Sequence, residues 1–267
     1  CVSTALHFGL GGSNMADSVR IVWPDQSAQT LTGVKAGQSL EVEYKKEGEP
    51  TAAPAVKKPA YFTKAPSLIN YSREEFGDND FKRQLLMLFM YSGTGPVMAK
   101  ADINNDGLED VFISGDKKQP GKIYLQQPGG SFTIKNGLNI GDENLSSISA
   151  AAFFDANGDG HPDLYAARGG YALYQPNTAA LQDELYINDG KGNFTLDESA
   201  LPDTKASGSC VRAADFDRDG DLDLFVGGRL ISGNYPMAPT SFLLENDGKG
   251  NMKDASQNFS SGASPGM

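Results

Sequence analysis

Phe154-Asp-Ala-Asn-Gly-Asp-Gly-His-Pro-Asp-Leu-Tyr-Ala166 is an acidic loop that runs straight into an apolar strand. The same pattern occurs upstream as Ala101-Asp-Ile-Asn-Asn-Asp-Gly-Leu-Glu-Asp-Val-Phe-Ile113 and downstream as Ala214-Asp-Phe-Asp-Arg-Asp-Gly-Asp-Leu-Asp-Leu-Phe-Val226. The first aspartates are 53 and then 60 residues apart. A second feature recurs in phase: Ile123-Tyr-Leu-Gln-Gln-Pro-Gly-Gly-Ser-Phe132, Leu185-Tyr-Ile-Asn-Asp-Gly-Lys-Gly-Asn-Phe194 and Leu243-Leu-Glu-Asn-Asp-Gly-Lys-Gly-Asn-Met252. Each of these is a strand, a glycine-rich turn and a second strand, which is the signature of a hairpin.

Every repeat therefore holds four expected strands. One precedes the acidic loop and is made of small residues: Val97–Ala101, Ser149–Ala152 and Cys210–Ala214. One follows the loop, and two form the hairpin. A four-stranded unit of this period is a propeller blade, and small residues suit the crowded axis. The expected fold is all-β, with about three four-stranded blades of a β-propeller over 61–267. Three blades do not close a ring, since propellers have about four to eight. The chain thus reads as a piece of something longer.

Ahead of the repeats, residues 1–46 read as a small β unit. Thr4–Leu10 is a short apolar run, Val19, Ile21 and Trp23 alternate onto one face, 28–34 is a weaker strand, and Ser39–Tyr44 alternates again. His7 is expected to be structural within the first run. Residues 47–60 carry prolines and charges and read as a linker. Glu74–Tyr91, rich in Phe and Leu, is expected to form a short helix.

The acidic loops carry the chemistry. Calcium is a hard cation that takes six to eight oxygens at about 2.3–2.6 Å. Alternate residues of a tight loop can aim such oxygens inward. The first loop offers Asp102, Asn104 and Asp106, the carbonyl of Leu108, and Asp110. The second offers Asp155, Asn157 and Asp159, the carbonyl of His161, and Asp163. The third offers Asp215, Asp217 and Asp219, the carbonyl of Asp221, and Asp223. Glycine at position six permits the sharp turn. An EF-hand would need a glutamate at position 12, where this chain has Ile113, Ala166 and Val226. Asp, Asn and Gly are also ordinary turn residues. Agreement of three loops at positions one, three, five, six and nine goes beyond turn chemistry. About three calcium sites are expected. Magnesium prefers fewer protein ligands, and the loops contain no zinc ligand set.

Composition narrows the function further. Acidic residues exceed basic ones by 34 to 23, for a formal charge of -11, so a general nucleic-acid binder is excluded. No run of 18 apolar residues suggests a transmembrane helix. Two cysteines, Cys1 and Cys210, make no disulfide framework, and Cys210 reads as a small buried side chain. Neither His7 nor His161 has a nucleophile partner for a hydrolase triad. Loops after the second strand of the later repeats carry Tyr171, Tyr174 and Tyr235. These tyrosines are candidates to stack on a sugar or anchor a protein partner, or else to cover neighbouring blades.

The acidic loops and their hairpins resemble FG-GAP/VCBS repeats, the blades of integrin α-chain-like propellers. Leu6–Gly11, Val19–Pro24 and Ser39–Glu43 resemble the second half of an ASPIC/UnbV domain. Cartilage acidic protein and many bacterial envelope proteins pair the two. The resemblance implies calcium at the loops, a secreted or surface-attached location and an adhesive, non-catalytic role in protein or glycan binding, while Cys1 is a candidate lipid-bearing residue of a lipoprotein. Its alternative implication is a carbohydrate-active lyase or dehydratase, because aldos-2-ulose dehydratase is built on similar repeats.

Overall fold

The computed structural model describes residues 6–44, 62–73, 79–85, 87–92, 95–115, 119–136, 140, 147–171 and 175–258. The expected linker at 47–60 lies outside them. The chain divides into two compact units, Cys1–Ala65 and Pro66–Met267.

The first unit holds an antiparallel hairpin of β1 (Met15–Val22) and β2 (Ala28–Lys35), with Val19 opposite Leu31 and Ile21 opposite Gln29. Val19, Ile21 and Trp23 are half-buried while Arg20 and Val22 are exposed, as the period-two alternation requires. Pro24-Asp25 turns the chain, closed by Gln26 N–H donating to the Trp23 carbonyl at 2.9 Å. Two expected strands do not form. Residues 6–10 are irregular, with His7 exposed rather than set in a strand, and 39–44 carry no ladder. The second stretch is held by side chains instead: Tyr44 donates to Asp25 Oδ2 at 2.7 Å and meets Trp23 edge-on at 5.3 Å. An alternating pattern needs a neighbouring edge before it becomes a strand.

The second unit contains three four-stranded antiparallel sheets. The first is β3 (Met98–Ala101), β4 (Asp110–Ile113), β5 (Lys122–Gln126) and β6 (Phe132–Ile134). The second is β7 (Ser147–Phe154), β8 (Asp163–Gly169), β9 (Glu184–Asn188) and β10 (Phe194–Leu196). The third is β11 (Ser207–Ala214), β12 (Asp223–Leu230), β13 (Phe242–Asn246) and β14 (Met252–Asp254). In each sheet the spatial order is the chain order, so each is a meander. Of their first strands, β7 lies between β3 and β11 and against both. This is the blade arrangement that the small residues of those strands predict.

The apolar core fills the two gaps between blades. Ile103, Phe112, Ile123 and Ile140 of the first blade pack on Ile148, Leu164, Ala166 and Tyr186 of the second. Tyr165, Ala167 and Leu185 of the second pack on Val211, Leu224, Val226 and Leu244 of the third. Strand β8 shows why its sequence is continuously apolar. Leu164 and Ala166 face one neighbour while Tyr165 and Ala167 face the other, so both faces are buried. Each fully buried Leu or Ile contributes about 1.5–3 kcal/mol of hydrophobic stabilisation. Glycine permits the closest backbone approach: a Cβ on Gly169 would lie 2.8 Å from the Gly208 carbonyl of the next blade.

The expected helix at 74–91 is not formed by its described residues. They make a single 3-10 turn, Asp80–Lys82, and then double back. The cause is the buried carboxylate of Asp80, which accepts from the Tyr91 N–H at 2.6 Å, from the Ser92 N–H at 2.8 Å and from the Ser92 hydroxyl. Three donors from ten or so residues downstream outcompete helical pairing. Among the described residues no helix is long and apolar enough to cross a membrane.

Candidate metal centres

Each acidic loop joins the first strand of a blade to the second and is wound around its own amides. At position one, Asp102 accepts from the N–H groups of Asp106 and Gly107 at 3.1 and 2.8 Å. Asp155 accepts from Gly158, Asp159 and Gly160 between 2.8 and 3.2 Å, and Asp215 from Arg218 at 2.6 Å. At position three, Asn104, Asn157 and Asp217 each accept from the N–H two residues on. At position five, Asp106, Asp159 and Asp219 do the same toward Leu108, His161 and Asp221. The alternate side-chain oxygens are thus folded back over one small turn. Position six needs its glycine, because Gly107 and Gly160 have φ of 84° and Gly220 of 105°.

Position nine differs from the rest. Asp110, Asp163 and Asp223 open the second strands and are almost wholly buried. One oxygen of each accepts from the N–H of position two: Ile103 at 3.3 Å, Ala156 at 3.0 Å and Phe216 at 2.8 Å. The other accepts from the last residue of the blade's third strand: Gln126 at 2.8 Å, Asn188 at 2.7 Å and Asn246 at 2.9 Å. Burial, followed by the charges of Asp159 and Asp155, pushes the Asp163 carboxyl up to about 6. Burial also raises Asp110. A carboxylate in this position is held by backbone donors yet short of positive charge.

In the third loop, Asp215, Asp217 and Asp223 each offer an oxygen, and these oxygens lie within 4.8 Å of one another. In the first two loops an asparagine stands at position three, and its Nδ2 donates to Asp106 or Asp159 Oδ2 at 3.0 Å. Asp221, at position seven of the third loop, is raised to about 6 by desolvation and then by Asp219 and Asp223. The loop is rich in oxygen donors and poor in cations.

Sequence reading missed two residues that tie these loops together. Asn188 and Asn246 end the third strands, and each is buried with its side chain spanning two loops. Their signal was the repeated Asn-Asp-Gly-Lys-Gly-Asn, which read only as turn chemistry. The aspartates of that motif do close the turns. Asp189 accepts from Asn193 Nδ2 at 2.7 Å and from the N–H groups of Lys191 and Asn193, which lower it to about 2. His161 adds a side-chain contact between two loops. Its ring packs against Gly190, and its Nδ1 lies 2.9 Å from Asn105 Nδ2 of the preceding loop.

The tyrosine loops lie at the other end of the strands, since β8 and β12 begin at the acidic loops and run away from them. Tyr171 is not exposed but wholly buried, with Met87 and Leu230 in one cluster that Phe81, Tyr91 and the partly buried Tyr235 flank. The folded-back segment covers it. Arg83 donates to the Tyr171 carbonyl at 3.0 Å and sits 5.3 Å over its ring, while the Tyr171 hydroxyl donates to Gln84 Oε1 at 2.7 Å. Tyr174 lies outside the described residues. Cys210 is partly exposed rather than buried, because it sits on a first strand beside Gly227, which offers no side chain to cover it.

Residues 1–49 match the family model described as ASPIC and UnbV. Residues 102–166 and 172–226 match the one described as FG-GAP-like repeat, which spans all three acidic loops. No curated protein matches the chain. The matched repeats take in the acidic loops of all three blades, and the chain is an FG-GAP repeat protein with an ASPIC/UnbV segment ahead of its repeats.

Proposed function

We propose that each acidic loop holds a calcium ion that stiffens its blade, and that the propeller segment serves recognition of a protein or glycan outside the cell rather than catalysis. The observation that carries the metal reading is the convergence of Asp215, Asp217 and Asp223 oxygens within 4.8 Å. The donor set supports a hard cation: carboxylates, amide oxygens and backbone carbonyls, with the one loop imidazole turned toward Asn105. Carboxylates this close repel one another, and a divalent ion reverses that repulsion. The recognition reading is supported by the exposed apolar run Leu85, Leu88, Phe89 and Met90, since side chains of this kind are rarely left exposed together without use.

Thermal unfolding in millimolar calcium and in excess chelator tests the metal reading. A ligand at a hundred times its Kd adds about 2.7 kcal/mol per site. For a unit of this size that shifts Tm by roughly 2–4 °C per kcal/mol. Superimposable melting curves would remove calcium from the account. A glycan array and a protein-binding screen, each run with and without calcium, test the recognition reading.

A further inference from the structure

The position-nine carboxylates of the three blades are joined by one continuous chain of hydrogen bonds. Asp110 accepts from the Ile103 N–H, and the Ile103 carbonyl accepts from Asn188 Nδ2 at 2.9 Å. The main-chain N–H of Asn188 donates to Asp163 at 2.7 Å, and Asp163 accepts in turn from the Ala156 N–H at 3.0 Å. The Ala156 carbonyl accepts from Asn246 Nδ2 at 2.8 Å, and the Asn246 N–H donates to Asp223 at 2.9 Å. Each asparagine is braced within its own blade. Asn188 Nδ2 also reaches the Pro162 carbonyl, and its Oδ1 accepts from Gly190 and Gly192 N–H at 3.1 Å. Asn246 reaches the Leu222 carbonyl at 3.2 Å and accepts from Gly248 N–H at 3.2 Å.

Ile103 and Ala156 sit between proposed ligands, at position two of their loops. A shift of the position-nine carboxylate onto a cation pulls on the N–H of that residue. The carbonyl of the same residue is what the next blade's asparagine holds. That asparagine is buried, so its hydrogen bonds cannot be exchanged for water without cost. The relay thus runs through groups that cannot relax independently, which is the physical condition for two sites to sense each other.

We infer that the three cation sites are energetically coupled, with the second loop as the relay between the first and the third. This inference rests on the calcium reading above. Filling one loop raises the affinity of its neighbour, and linkage makes the effect mutual. The two couplings are unequal. Between the first and second loops there is an added bridge, Asn105 to His161 at 2.9 Å and to the Gly190 carbonyl at 3.3 Å. Between the second and third loops, Gly158 and Asp221 occupy those places, and neither can form that bridge. The first pair is therefore the more strongly coupled.

The test is a titration of the calcium-free chain with calcium, followed by calorimetry and by the amide signals of Gly107, Gly160 and Gly220, one per loop. The expected result is a Hill coefficient above one, with neighbours raising each other's affinity about five-fold or more. Asn188→Asp keeps the turn-facing oxygen but loses the donor to the Ile103 carbonyl, so the coupling of the first loop to the other two should weaken. Adding Asn105→Gly, which removes the second bridge, should leave the first loop filling independently. Asp155→Asn with Asp159→Asn silences the exposed part of the second loop and does not depend on the fold tolerating a change at Asn188. In that variant the first and third loops should both bind more weakly, by about five-fold or more, with the larger loss at the first loop. Independent filling in the parent chain would overturn the coupling and leave calcium in place. So would unchanged affinities at the first and third loops once the second is silenced. Absence of any calcium binding would overturn the metal reading, and the coupling with it.

Discussion

The hydroxyl of Tyr165 donates to Asp183 Oδ2 at 2.6 Å, and both groups are buried between the second and third blades. The other oxygen of Asp183 accepts from the Arg168 N–H at 2.6 Å, and Thr204 lies alongside. The Arg168 side chain is itself paired with Glu184. The blade-two position is specific: Gly121 and Ser241 stand at the corresponding places in the other blades.

Burial pushes the Asp183 carboxyl up from 3.8 to about 7, more than its hydrogen bonds and the Arg168 charge pull it down. The folded state therefore binds this proton more tightly than the unfolded chain does. Its contribution to stability is full below about pH 3.8 and is lost as pH rises toward about 7. Tm measured in chelator should fall between pH 5 and pH 7 more steeply for the parent than for Asp183→Asn. Parallel profiles would show that Asp183 does not carry the slope.

The position-nine aspartates have two jobs, and these separate by mutation. Asp163→Ala removes the acceptor of two buried N–H groups, those of Asn188 and Ala156. Each orphaned group costs about 1–3 kcal/mol, so the variant should lose stability in chelator as well as in calcium. Asp159 is exposed, and Asp159→Ala should stay within about 0.5 kcal/mol of the parent in chelator. In millimolar calcium it should fall behind. Urea unfolding under both conditions distinguishes the two.

Asp80 holds the folded-back segment closed. Asp80→Ala deletes the acceptor of Tyr91 and Ser92, at a cost of about 1.5–3 kcal/mol for a charged acceptor. Limited proteolysis should then cut within 79–92 much faster than in the parent. Hydrogen-exchange protection of β8 and β12 should persist, because the inter-blade cores do not depend on that segment. Equal cleavage rates would show that Asp80 is not the clasp.

Gly190 and His161 should be coupled. A Cβ on Gly190 would stand 2.5 Å from His161 Nε2, and its φ of 73° is already unfavourable for alanine. The backbone alone costs about 1–2 kcal/mol. Gly190→Ala with His161→Ala should be more stable than the sum of the single effects by about 1 kcal/mol, in a double-mutant cycle read by chemical unfolding.

Much of the blade architecture is legible because it is local and periodic. Asp155, Asn157, Asp159, Gly160 and Asp163 lie within nine residues and repeat twice more, in phase with the hairpins. The apolar run that begins at Leu164 directly after the loop announces a strand. Other expectations failed where a distant group decides. The apolar run at 81–90 has helical content, but Asp80 binds donors beyond its end. For Tyr171 the sequence left a ligand contact and a covering role both open, and only the tertiary structure brings Arg83 and Gln84, more than eighty residues upstream, over it.

By itself the sequence determined the strands, the turns and the composition of the acidic loops, because each depends on neighbours a few residues away and on side-chain periodicity. Tertiary structure alone decided which loop is bonded to which. Asn188 and Asn246 carry ordinary turn chemistry in their own segments, and only the stacking of blades brings the Ile103 and Ala156 carbonyls within reach. A buried amide must then find partners wherever packing supplies them, and here packing supplies them across the blade boundary.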